Sequence, residues 1–298
     1  MSPARPTLSE GVDEYLLALD VERGLSANTI QAYRRDLSQY LAYLEGAEPD
    51  QVSVERYVTH LRSADLASST VGRKLAAIRG LHRFMVVEGL RQSDPTLLVE
   101  SPRRPEPFPK ALTVDQAIAL VEAPDPGSLK GRRDSALLEF LYATGARVSE
   151  AVGVDLGHLD LDDRVVLVTG KGAKQRLVPI GGKAVTALSR WLPDRLSLVR
   201  RGQRGDPVFL NLRGRRLSRQ GAFDVVKANA RRAGIEGDEV SPHVLRHSAA
   251  THMVEAGADL RTVQEILGHA TISTTQIYTK VSPAHLVEIY VQAHPRSK

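Results

Sequence analysis

Glu100-Ser101-Pro102-Arg103-Arg104-Pro105-Glu106-Pro107-Phe108-Pro109-Lys110 places four prolines in eight positions. Proline has no amide hydrogen to give a helix and pushes its predecessor toward extended backbone, so this stretch reads as an extended linker. It divides the 298-residue chain into about one third and two thirds. Residues 1–102 are expected to form one domain, 103–110 the linker and 111–298 a second domain, each large enough to bury its own core.

Upstream of the linker the pattern is helical. Val12, Tyr15, Leu16 and Leu19 recur at helical spacing, as do Tyr33, Leu37, Tyr40, Leu41 and Leu44. Ser26-Ala27-Asn28-Thr29 reads as a helix start, and so does Ser68-Ser69-Thr70 before Val71, Leu75, Ile78 and Leu81. About four helices fit in this segment, which predicts a small all-α bundle. On those helices Arg34, Arg35, Arg73, Lys74, Arg79 and Arg83 fall largely outside the apolar positions, on faces suited either to solvent or to phosphate.

Downstream, Thr113 with Gln116 predicts a capped helix, followed by an apolar segment from Ala136 to Leu141. Gly145 should break that helix and Ser149-Glu150 begin another, leaving Arg147 in the turn beside a helix N-terminus, where an anion is favoured. The β-rich runs 164–168 and 175–180 flank Thr169-Gly170-Lys171-Gly172-Ala173-Lys174 and predict an antiparallel hairpin with Lys171 at its tip. Ser241 and Pro242 then supply a cap and first helical residue, putting His243 and Arg246 on one face near the helix start. Gly257 closes that helix, Asp259 opens the next, and Gly268 ends it immediately before His269. A mainly α domain with a small antiparallel sheet follows.

Composition limits what this site can do. There is no cysteine anywhere, so disulfides, thiolate zinc sites and cysteine nucleophiles are excluded. His243, His247 and His252 are spaced four and five apart with no carboxylate completing a known ligand pattern, so no metal is expected; His247 and His252 read as solvent or packing residues. The first residues lack the apolar core of a signal peptide, and no run is long enough to span a bilayer, so a cytoplasmic protein is expected. Charge is divided unevenly: residues 1–102 hold 11 Lys and Arg against 14 Asp and Glu, whereas the remainder holds 29 against 21. A basic downstream domain suits a polyanion such as nucleic acid, although Arg-rich composition alone also serves solubility.

The motifs Thr144-Gly145-Ala146-Arg147-Val148-Ser149-Glu150, Gly170-Lys171-Gly172-Ala173-Lys174-Gln175-Arg176-Leu177-Val178-Pro179, His243-Val244-Leu245-Arg246-His247-Ser248-Ala249-Ala250-Thr251-His252, Leu267-Gly268-His269-Ala270 and a terminal Tyr278 occur in that order. In these motifs, and over its length, the chain resembles the tyrosine recombinases of the integrase family, and within them the Xer recombinases that resolve bacterial chromosome dimers. The segment Phe209-Leu210-Asn211-Leu212-Arg213-Gly214, with Leu217-Ser218-Arg219-Gln220-Gly221, is similar to the Xer group as well. The ending Ala293-His294-Pro295-Arg296 is closer to the branch whose partner is a XerC-type recombinase.

The resemblance implies a SAM-like core-binding domain and a catalytic domain that grip duplex DNA from opposite sides. It implies Tyr278 as the nucleophile forming a 3′-phosphotyrosyl bond, and Arg147 and Arg246 on the non-bridging phosphate oxygens with His243 and His269 beside them. Lys171 would protonate the leaving 5′-oxygen, and Glu150 would support the pocket. Lys174 and Arg219 join Arg34, Arg35, Arg73, Lys74 and Arg79 as candidate DNA contacts on the reading of the cationic faces, not through the resemblance. The implied partners are a dif-like DNA site, a XerC-type recombinase in a tetramer and an FtsK-type translocase as activator; no cofactor is implied. The chemistry is consistent: a phenol of pKa about 10 needs a base or a strongly cationic site to attack, and two arginines can meet charge on the phosphorane without magnesium. A XerC-like partner or a mobile-element integrase is the nearest alternative. A type IB topoisomerase shares only the pocket, and a non-catalytic architectural protein would lack the nucleophile.

Overall fold

The computed structural model describes residues 7–21, 25–101, 111–199, 205–235, 240–268 and 290–297. The predicted linker 103–110, together with His269 and Tyr278, lies outside the described residues, as does the Lys171 side chain. The chain divides into two compact units, Met1–Glu106 and Pro107–Lys298.

The first unit contains four helices among the described residues: α1 (Leu8–Val21), α2 (Ala27–Leu44), α3 (Gln51–Ser63) and α4 (Ser68–Val87). Ser26 caps α2 by accepting from the Thr29 amide, and Asp50 forms a reciprocal capping box with Ser53 at α3. α4 starts at Ser68, with Ala67 in the cap position and no side-chain cap, slightly earlier than the Ser-Ser-Thr run suggests. The predicted stripes meet in one core of Val12, Tyr15, Leu16, Leu19, Leu37, Tyr40, Leu75, Ile78 and Leu81, each large apolar side chain contributing about 1.5–3 kcal/mol on burial. Within it the Tyr40 hydroxyl is 3.1 Å from His82 Nε2, which gives both buried polar groups a partner.

One expectation fails here. Lys74 does not lie on an open face: it is buried, and its ammonium holds Asp36 at 3.1 Å and also Gln39. Arg73 pairs with the same carboxylate. Asp36 lies on the inner face of α2, and a buried carboxylate requires cations beside it, so α4 supplies two. Arg79 is likewise tied to Val99 O and, at 2.6 Å, to Ser101 Oγ. Arg34, Arg35 and Arg83 remain exposed.

The second unit is built around α6 (Leu129–Thr144), which is buried continuously from Ala136 to Thr144 and therefore acts as the core helix. Around it lie α5 (Val114–Glu122), α7 (Val148–Gly153), α8 (Gly182–Leu198), α9 (Arg219–Arg232), α10 (Pro242–Glu255) and α11 (Leu260–Leu267). Three antiparallel strands, β1 (Leu159–Asp160), β2 (Val165–Thr169) and β3 (Gln175–Pro179), form a sheet in the order β1-β2-β3. In its register Val166 faces Val178 and Val168 faces Arg176, so Val166, Val168, Val178 and Arg176 share the inner face. No described helix is long and apolar enough to cross a membrane.

The end of the chain belongs to this unit. Tyr290 is buried and stacks on His294 with ring centroids 4.8 Å apart; His294 Nε2 donates to Tyr142 O at 3.1 Å. Arg296 is ion-paired with buried Glu139 and, at 2.7 Å, with Glu122, while the Ser297 carbonyl accepts from the Gly182 amide. His252, read from sequence as packing or solvent, is a packing residue: it accepts from the Tyr142 hydroxyl at 2.8 Å and donates to Leu112 O at 2.8 Å.

Candidate active site

α6 ends at Gly145, whose φ of 54° is left-handed and whose missing side chain leaves room for Leu267; a Cβ there would lie 2.5 Å from Leu267 Cδ2. The chain therefore turns tightly enough to put Arg147 one residue before α7, with Ala146 buried beneath it. Glu150 then closes the turn by accepting from the Arg147 amide at 2.9 Å and from its guanidinium at 3.0 Å.

Glu150 is 3 % exposed and is the centre of the cluster. Arg176 spans it with two nitrogens, at 3.1 Å and 2.8 Å, an arrangement that only a guanidinium fork provides. Burial pushes the Glu150 carboxyl up, but the hydrogen bonds and charges of Arg176 and Arg147 outweigh it and hold the group below the ordinary carboxylate range. Gly170 lies against the same carboxylate; a Cβ there would be 3.2 Å from Oε1. The β2–β3 loop that carries the Lys171 backbone is thus anchored beside Glu150, closed by a 2.8 Å bond from the Gly170 amide to Lys174 O.

α10 is capped by Ser241 and starts at Pro242, as the sequence suggests. His243, in its first turn, is exposed, while Arg246 one turn later is buried. Arg246 donates to Gly145 O and, at 2.8 Å, to Leu267 O. Desolvation, and then the charge of Arg147, lower its pKa to about 10, against the opposing pull of Glu150.

The C-terminal end of α11 shows why these arginines converge. Four helix-terminal carbonyls have no partner within their own helix. The Gly268 amide, in a left-handed cap with φ 68°, serves Gln264 O and Glu265 O. Arg176 Nε donates to Ile266 O at 3.0 Å, Arg246 to Leu267 O, and Arg147 reaches Gly268 O at 3.4 Å. Three arginines thus hold the negative end of a helix dipole directly before His269 in sequence.

Three guanidiniums against one carboxylate leave about two positive charges concentrated around Glu150. Arg147 remains 41 % exposed at its side chain, so a solvent-borne anion can reach the cluster. A phosphodiester supplies the charge and two non-bridging oxygens that accept from such a fork. Of the residues singled out from sequence, the structure brings Arg147, Glu150, Arg246 and the Lys171 backbone together; His269 and Tyr278 lie outside the described residues. Lys174 and Arg219 are exposed. Arg176, which lies within the Gly170–Pro179 motif, is the site residue that sequence reasoning missed. The signal was its phase: two and four residues before the apolar Val178 and Ile180, it falls on their face of the strand, putting a cation on an inner face.

Residues 110–285 match the phage integrase family, and residues 12–89 match the phage integrase N-terminal SAM-like domain. The chain belongs to the phage integrase family. It is a site-specific tyrosine recombinase, an enzyme that cleaves and rejoins DNA. Its relatives include tyrosine recombinase XerD of Mycobacterium tuberculosis, 46 % identical with 98 % of this chain and 99 % of the relative covered. XerD of Bifidobacterium longum is 43 % identical, with 96 % and 97 % covered. Among solved structures, a XerH recombinase bound to palindromic difH substrate shares the fold at TM-score 0.69 and 22 % identity, covering 98 % of this chain and 91 % of that one. A lambda integrase dimer on a core site does so at TM-score 0.70 and 17 % identity, covering 93 % and 100 %.

Proposed function

We propose that this recombinase resolves chromosome dimers at a dif-like site as the XerD-type member of a XerC–XerD pair. The observation that carries the phosphodiester chemistry is the buried Glu150 gripped by Arg147 and Arg176, with Arg246 repelled by both arginines and facing the same α11 terminus. The Xer assignment is supported by relatives named XerD that are 40–46 % identical over nearly their whole length.

In this reading residues 1–102 form the core-binding domain and 111–298 the catalytic domain. Arg147 and Arg246 take the non-bridging oxygens of the scissile phosphate, exchanging part of their carbonyl partners for it. The Tyr278 phenol attacks phosphorus; its proton passes to His243 or His269, a 3′-phosphotyrosyl bond forms and the bond to the 5′-oxygen breaks. Lys171 protonates that oxygen. Because a phosphoester is exchanged for a phosphoester, a 5′-hydroxyl can reverse the step without ATP. Exposed Lys174, Arg219, Arg34 and Arg35 supply phosphate contacts that position the duplex. The active assembly is a tetramer with a XerC-type recombinase, activated by an FtsK-type translocase.

The test is deletion between two directly repeated dif-type sites on a plasmid, with this protein, a XerC-type partner and an FtsK translocase fragment. Deletion that requires both recombinases and is lost with Arg147→Ala is expected. Deletion by this protein alone at the same sites would contradict the paired assignment and favour a single-recombinase or mobile-element system.

A further inference from the structure

Arg176 makes three side-chain hydrogen bonds within the cluster. Its side chain is 12 % exposed, and its hydrogen bonds run to both Glu150 oxygens and to Ile266 O at the end of α11. Two of its nitrogens fix both oxygens of Glu150, which in turn holds the backbone and guanidinium of Arg147. Its Nε holds Ile266 O at the end of α11. Gly268, the residue before His269, packs directly on its guanidinium; a Cβ there would lie 2.9 Å from Cζ, and the left-handed φ of 68° also favours glycine.

Such an arginine is costly on the inner face of an edge strand. Val168, opposite it, and Val178 and Ile180, in phase with it, are all buried. An apolar residue would satisfy the sheet, and a buried ion pair seldom adds stability over an apolar replacement. Its geometry instead couples three elements, α7 through Glu150, β3 by its own backbone and the α11 terminus through Ile266.

We infer that Arg176 is a positioning residue for strand cleavage, setting Arg147 through Glu150 and the α11 end from which His269 follows. This rests on the proposed roles of Arg147 and His269. Arg176 does not touch the phosphate. Among the described side chains its removal leaves Arg147 as the cation hydrogen-bonded to Glu150, and draws that guanidinium toward the carboxylate, away from the incoming oxygen. The loss should therefore fall on the chemical step and spare duplex binding, because a displacement of about 1 Å at a reacting group can cost about 100-fold in rate.

The experiment compares the full chain with Arg176→Ala and Arg176→Lys on a nicked duplex bearing a dif-type site. Covalent product is followed at saturating protein, duplex Kd by gel shift and Tm by calorimetry. Arg176→Ala is expected to cleave ~100-fold more slowly with Kd changed less than ~3-fold. Arg176→Lys should recover little of the rate, since an ammonium cannot span two carboxylate oxygens and a carbonyl. Arg176→Ala should add little to Glu150→Gln, because the two act as one unit. Leu188→Ala, a core cavity on α8, controls for lost stability. Cleavage by Arg176→Ala within ~3-fold of the parent, a loss equal to that of Leu188→Ala at the same Tm, or a loss wholly in Kd would overturn the inference. Absence of covalent product from the parent chain would instead overturn the reading of the site itself, and this inference with it.

Discussion

Arg246 gives up much of its hydration to bond Gly145 O and Leu267 O, and burial beside Arg147 lowers its affinity for its own proton. A bound phosphate would relieve that repulsion, so its effect is expected at the transition state. Arg246→Ala should lower the cleavage rate about 100- to 1,000-fold, the scale for removing one donor to a developing oxyanion, with duplex binding largely kept. Single-turnover cleavage and gel shift check this; comparable losses in both would contradict it. His82 and His294 make a different prediction. Burial pushes each down to about 4, whereas an unfolded histidine takes its proton near 6.5. The unfolded chain therefore binds more protons between these values, so stability is full above about pH 6.5 and declines as pH falls toward about 4. Urea midpoints at pH 7 and pH 5 should diverge less in His82→Gln and His294→Gln than in the parent; equal divergence would contradict the assignment.

Among the elements, the turn from α6 into α7 is the most demanding. Gly145→Ala would combine a left-handed φ with a Cβ against Leu267, costing about 1–2 kcal/mol from the backbone alone and disturbing the α11 end that Arg246 holds. Differential scanning calorimetry and the cleavage rate should fall together in this variant; an unchanged Tm would contradict the packing account. Much at this scale was legible in the sequence, because caps and breakers are local. Thr113–Gln116, Gly145, Ser241–Pro242, Asp259 and Gly268 all mark ends that the structure shows. α8 was not legible: it runs through Pro193, which normally argues against a helix, yet it is kept by burial of Trp191, whose indole donates to Val208 O at 2.8 Å. Lys74 misled for the converse reason. Helical phase shows where a side chain starts, but not that a carboxylate on a neighbouring helix will draw it inward. The roles of the site residues depend on long-range partners such as Arg176 with Ile266, ninety positions apart, which no local pattern contains.

For the molecule as a whole, the residues that end the chain are part of the catalytic unit's core. Burial pushes the Glu139 carboxyl up, and the ion pair with Arg296 opposes that push only in part. Arg296→Ala should cost about 3–5 kcal/mol by leaving a buried carboxylate without its cation, and Glu139→Gln in the same chain should restore part of it. Denaturant midpoints measure this; a small loss in the single variant would show that the tail contributes little to the unit. The two-unit division and the family matches across both units agree with an enzyme that binds duplex DNA and cuts it through one of its own side chains. That claim is tested most directly by incubating the protein with a labelled, nicked dif-type duplex in EDTA and running a denaturing gel beside Tyr278→Phe. A protein-linked DNA band that forms without metal and vanishes in the variant is the result predicted. A band that persists in Tyr278→Phe, or one that forms only when magnesium is restored, would contradict a metal-independent phosphotyrosyl mechanism with Tyr278 as its nucleophile.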